Sequence, residues 1–197
     1  MGFTMAEAIK LDIMSDPICP WCYIGKAHLD SALQDHPNHR RAYLEGKFGG
    51  KEGAVRAYAP VVEHAEKAGL NINFEAMQRT PNTLDAHRLI HWAGIEGRQT
   101  AAVSALFKAY FVEARDIGDA EVLADIADSI EMDAAVVTRL LKSDVDAQDI
   151  RDRDAHSRKM GVNSVPTFII ANAHAVPGAQ PPELWAQVIA DLTKQQS

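Results

Sequence analysis

The chain's only two cysteines stand three residues apart, in Ser15-Asp16-Pro17-Ile18-Cys19-Pro20-Trp21-Cys22-Tyr23, where one periodicity gives way to another. Ile9, Leu11 and Ile13 alternate with Lys10 and Asp12, which predicts a strand over 8–14. Pro17 and Pro20 break it. From Trp21 to His36 the spacing becomes helical, with Cys22, Leu29, Ala32 and Leu33 on one face. Cys19 is therefore expected near a helix N-cap, with Cys22 one turn further in and more buried. The free N–H groups and positive end of a helix favour a thiolate there, and the thiolate is the attacking species in disulfide exchange. Pro20 would stiffen the turn, and Trp21 would add an apolar wall without positive charge.

Two other readings of the pair compete. Cys19-x2-Cys22 followed by His36-x2-His39 approaches a two-Cys, two-His zinc spacing, but the His pair is one residue too close and sits at an expected helix end. No metal is expected. Inert cysteines would not require Pro-Trp between them at a helix start.

The bulk numbers narrow the setting. Apolar residues are 47% and charged residues 24% of 197, as in a soluble globular protein. The net charge is −7, and Lys and Arg are scattered among acids, so neither nucleic acid nor an anionic membrane is an expected partner. No window approaches the roughly 18 apolar residues of a membrane span. The stretch Met1–Ala8 lacks a basic head and an apolar signal core. A cytoplasmic protein is expected, a setting where paired thiols are usually catalytic or metal-binding.

The middle of the chain reads as helices: Arg41–Phe48, Glu52–Ala68 with a break at Pro60, Thr83–Ala93 and Gln99–Glu113. Further helices are expected at Ala120–Ser129 and Ala134–Lys142, capped by Asp119 and Asp133, and at Asp146–Met160, stopped by Gly161. The end changes character. Val165–Ala171 reads as a buried strand entered through Pro166, Ala173–Val176 as a second strand, and Pro181 or Pro182 opens a final helix. The pattern is α/β: residues 1–39 and 161–197 form a split domain, and 40–160 form a helical insertion.

Five stretches then resemble, in order, the DsbA-like thioredoxin family, and within it the cytoplasmic FrnE-type branch. They are Cys19-Pro20-Trp21-Cys22-Tyr23-Ile24-Gly25-Lys26, Pro81-Asn82-Thr83 with Ala86-His87-Arg88-Leu89, Arg115-Asp116-Ile117-Gly118-Asp119, Gly161-Val162 through Val165-Pro166, and Gly178-Ala179-Gln180-Pro181-Pro182. The resemblance implies a thioredoxin fold interrupted by helices and a thiol–disulfide oxidoreductase acting on protein or small-molecule thiols and disulfides. It implies Cys19 as nucleophile, Cys22 as resolving thiol and Pro166 as the family's cis-proline. The backbone of Val165 would pair with substrate, and Pro20, Trp21, Asn82 and His87 are carried over with it as substrate-binding residues, the alternative being that Asn82 only caps its helix and His87 only packs.

Asp12, seven residues before Cys19, stands where related folds often keep an acid beneath the resolving thiol. It is either a proton acceptor for Cys22 or a solvated residue paired with Lys10. Lys26 and His28 either add positive potential to the turn or, as expected, lie on a solvated helix face. The alternative activity is a glutathione-dependent isomerase or transferase on the same fold, although such relatives typically carry Ser at the place of Cys19. No cofactor is expected beyond the redox-active pair, with glutathione as a possible co-substrate.

The sequence departs from the family pattern once. Thioredoxin-like folds place a strand after the Cys helix, parallel to the first, whereas Gln34–Arg41 runs straight into Ala42-Tyr43-Leu44 without an apolar run. Either that edge strand is lost or a stretch of chain is missing at this joint. Loss would expose the partner edge of the first strand.

Overall fold

The computed structural model describes residues 11–33, 60–70, 72, 76–77 and 81–195. Residues 11, 12, 29–33, 193 and 195 are described by their backbone only. The expected helix at Arg41–Phe48, the start of the one at Glu52, His36, His39 and the joint near residue 40 lie outside the described residues.

Strand β1 (Leu11–Met14) leads through a turn into helix α1 (Pro20–Leu33). After a helical stretch at 60–67 come α2 (Leu84–Ile95) and α3 (Gln99–Phe107), which continues as a π-helical turn over Lys108–Val112. Then follow α4 (Ala120–Ser129), α5 (Ala134–Leu141) and α6 (Ala147–Lys159). Strands β2 (Thr167–Ile170) and β3 (His174–Pro177) and helix α7 (Pro182–Gln195) close the chain. Between 60 and 160 no described residue lies in a strand.

The sheet has the order β1-β2-β3, antiparallel throughout, with Asp12 opposite Ile169 and Ile13 opposite Phe168. Strand β1 is the edge of this sheet among the described residues, and Ile13 keeps 40% of its surface exposed. Strands β2 and β3 join through Ala171 and Asn172, both at positive φ, closed by a bond from Ala173 N–H to the Ile170 carbonyl. Phe168 on β2 meets Trp185 on α7 edge to face at 4.6 Å.

The helical part grips α1 through Tyr23. Its ring stacks on Phe107 at 4.7 Å and on Phe111 at 4.9 Å. The helix expected to run unbroken to Glu113 widens after Phe107 into the π-helical turn, whose Ala109, Tyr110 and Phe111 are buried.

Asp119 and Asp133 cap α4 and α5 as expected, each accepting two backbone N–H groups. Asp146 does not cap α6. It sits at φ 61°, and its carboxylate accepts instead from the indole N–H of Trp92 at 2.8 Å.

Candidate active site

The cysteine turn is built by Asp16. The Asp16 carbonyl accepts from Cys19 N–H at 2.9 Å, and its carboxylate accepts from Ile18 N–H at 3.0 Å. Pro17 occupies the second position of the turn, which its fixed φ suits. The Cys19 carbonyl then accepts from Tyr23 N–H at 3.2 Å, the first bond of α1. Cys19 is thus the residue flanking the helix start, partly exposed, while Cys22 lies one turn in at 2% exposure.

The two thiols differ as this placement dictates. Cys19 is held below the ordinary thiol value, first by the Cys22 thiol donating to it and then by the backbone N–H groups of Cys22 and Trp21; burial and the Asp16 charge oppose the shift. Cys22 is pushed well above that value, first by burial and then by its neighbour Cys19. Asp16 N–H donates to Cys22 Sγ at 3.4 Å, and the Ser15 hydroxyl also reaches Cys22. One thiol of the pair is thus ready to ionise and the other retains its proton.

The loop before β2 faces this turn. The Val165–Pro166 bond is cis, and the Cys19 thiol donates to the Val165 carbonyl at 3.7 Å. Val165 is itself partly exposed beside the thiol. Gly178 N–H bonds the Pro166 carbonyl at 2.8 Å, which ties the end of β3 to the same loop. Gly25 of α1 completes the contact: a Cβ there would lie 3.0 Å from Pro166 Cγ and 3.3 Å from Ala179 Cα. His28 is buried rather than solvated, because its Nδ1 lies 2.7 Å from the Gln180 carbonyl. Three of the five sequence stretches thus interlock around Cys19.

The others act at greater remove. Trp21 is half-buried and meets the His64 ring edge to face at 5.3 Å. Asn82 is exposed, and its side chain accepts from Leu84 N–H at 3.0 Å, opening α2. A Cβ on Gly118 would touch Pro81, the Asn82 carbonyl and Asp116 at 3.1–3.2 Å, so two of the stretches pack on each other as scaffold. Arg88, which carried no role in the sequence reading, is 2% exposed and donates to the carbonyls of Leu140, Ser143 and Val145 and to Asp85. His87, half-buried on α2, is held below the ordinary imidazole value by burial, against the opposing charges of Asp16 and Asp154. It lies within electrostatic reach of the cysteine turn. Asp12 is placed on β1 by its backbone, and its side chain lies outside the description. Among the described residues no cluster of three or more His, Cys, Asp or Glu could hold a metal.

A family model, the DSBA-like thioredoxin domain, matches residues 10–190. The chain belongs to the DsbA-like thioredoxin family. Proteins of this fold are thiol–disulfide oxidoreductases or related isomerases. The solved structure of a probable DsbA oxidoreductase, SCO1869 from Streptomyces coelicolor, superposes with TM-score 0.81 at 26% identity, over 96% of this chain and 92% of that one. The cytosolic disulfide reductase DsbM from Pseudomonas aeruginosa, solved with GSH, gives 0.67 at 17%, over 93% and 98%. A 2-hydroxychromene-2-carboxylate isomerase gives 0.72 at 16%, over 94% and 96%. The uncharacterized protein YwbO of Bacillus subtilis (strain 168) is 25% identical over 94% of this chain and 98% of its own length. Among the described residues no helix of this DsbA-like chain is long and apolar enough to cross a membrane.

Proposed function

We propose that this DsbA-like protein is a dithiol–disulfide oxidoreductase of the FrnE type, working in the cytoplasm through Cys19 and Cys22. The observation that carries the reading is the asymmetry of the pair: a partly exposed thiol favoured to ionise at the start of α1, beside a buried one that is not. The Cys19 thiolate attacks one sulfur of a substrate disulfide, forming a mixed disulfide and expelling the other sulfur as thiolate. Cys22 then gives up its proton and attacks Cys19 Sγ, which releases the second substrate thiol. The substrate gains two electrons, and the enzyme is left with a Cys19–Cys22 disulfide. Run backwards, the same steps oxidise a dithiol, and the partner's reduction potential sets the direction.

Val165 and Pro166 would form the wall on which substrate lies, with the exposed side of Trp21 and Pro20 beside it, and Asp12 would take the proton from Cys22. Protein disulfides and small disulfides, glutathione disulfide among them, are the substrate class. The neighbour described as a cytosolic disulfide reductase supports both the activity and the compartment.

Turbidimetric insulin reduction with wild type, Cys19→Ser and Cys22→Ser tests the reading. Wild type should be active and Cys19→Ser inactive, and Cys22→Ser should accumulate mixed disulfide. A wild type inert toward insulin and glutathione disulfide, but active in glutathione conjugation or isomerisation, would replace this reading with the transferase or isomerase one.

A further inference from the structure

One residue touches both halves of the cysteine pair without belonging to the motif. Through its backbone, Asp16 accepts from Cys19 N–H at 2.9 Å and donates to Cys22 Sγ at 3.4 Å. Through its side chain, it accepts from Ile18 N–H at 3.0 Å. The turn that aims Cys19 out of the helix start, and the bond that steadies the buried sulfur, thus both originate at one position.

We propose that Asp16 is a positioning residue of the exchange site, fixing the geometry of both cysteines through its turn and setting its carboxylate on the turn that carries Cys19. The inference rests on the oxidoreductase reading and adds to it a residue that tunes the pair.

The two effects oppose each other, which makes them separable. The turn preorganises the helix start whose N–H groups stabilise the thiolate. The carboxylate puts a like charge near that thiolate and disfavours it, and the charge on Asp16 indeed works against the Cys19 shift. Among the described residues, Cys22 and Ser15 of its own segment stand at this turn, and the charges of Asp16 and of Asp154 on α6 both act on His87 of α2. His87 is disfavoured as a cation by burial, so the Asp16 charge is not cancelled by a fixed partner there.

Asparagine keeps an acceptor for the Ile18 N–H and removes the charge; alanine removes both. Iodoacetamide labelling of the full chain across pH, read by peptide mass spectrometry, separates them. For Asp16→Asn the midpoint of Cys19 labelling should fall by about 0.5 pH unit, giving about threefold faster labelling near pH ~6. For Asp16→Ala the preference for Cys19 over Cys22 should shrink and insulin reduction should slow at every pH, with asparagine restoring the preference. An Asp16→Asn profile that superposes on wild type, or an Asp16→Ala protein with full Cys19 preference, overturns the proposal. If Asp16→Ala does not fold, the asparagine profile decides. A wild type that labels as described yet exchanges no disulfide refutes the oxidoreductase reading instead.

Discussion

Gly25→Ala should destabilise this protein and slow its disulfide exchange, although alanine is the better helix former. In a helix interior the exchange is worth about 0.5–1 kcal/mol in favour of alanine. Here the new methyl carbon would lie 3.0 Å from Pro166 Cγ, whereas carbons prefer about 3.5–4.0 Å. The Pro166 ring would have to retreat by about 0.5–1 Å. The same methyl would also lie 3.3 Å from Ala179 Cα, a backbone atom that cannot swing away by a rotamer change. Overpacking of this kind costs about 1–3 kcal/mol, which leaves a net loss of about 1 kcal/mol and a Tm lower by roughly 2–4 °C. Because the loop that moves carries the Val165 carbonyl facing Cys19, exchange should fall by about tenfold. Gly94→Ala is the control. Its methyl would meet only the flexible Gln99 side chain at 3.5 Å, so the same substitution should stabilise by about 0.5–1 kcal/mol with exchange unchanged. Urea titrations and insulin reduction on the three proteins decide it. A Gly25→Ala protein as stable as Gly94→Ala and fully active would refute the claim that the cysteine helix and the Pro166 loop are packed to contact.

Three more predictions concern Cys22, Arg88 and Asp12. The Cys22 thiol is raised by burial, so the stability its proton contributes is fully present below the unfolded thiol value of about 8.5 and is lost as pH rises through the higher folded value. The Tm should therefore decline above pH ~9, and Cys22→Ser should flatten that decline; a decline equally steep in the variant would refute the assignment. Arg88→Leu removes four hydrogen bonds from a buried guanidinium, and should cost about 3 kcal/mol and lower Tm by about 6–12 °C in thermal melts; a loss below about 1 kcal/mol would show that the loop after α5 does not depend on it. Asp12→Asn should slow release of the mixed disulfide while the first attack by Cys19 stays at its wild-type rate. Unchanged release in stopped-flow exchange across pH ~6–8 would remove Asp12 from the site.

What the sequence determined by itself is local and periodic. The alternation before the cysteines, the helical spacing after them, and the aspartates ahead of α4 and α5 are short-range signals. A strand, a helix and two caps form where they predict, because each rests on groups within a few residues of one another. Cys19 at the helix start and Cys22 inside it follow from the same rule, and with them the split between the two thiols. What only the tertiary structure decided depends on groups far apart in sequence. Asp146 reads as the first residue of a polar helix, yet the Trp92 indole claims its carboxylate from 54 residues away. His28 reads as solvated, yet the Gln180 carbonyl, 152 residues on, draws its ring inward. Arg88 is a charge on a helix until α5 and the turn after it present three carbonyls to it. Asp16 reads as one polar residue before a proline. Its links to the cysteines are visible only once the chain has turned, because both are made by backbone atoms, held in place by the bond of its side chain to Ile18 N–H. A side-chain alphabet cannot announce a backbone contact, and the fold alone decides where those atoms meet.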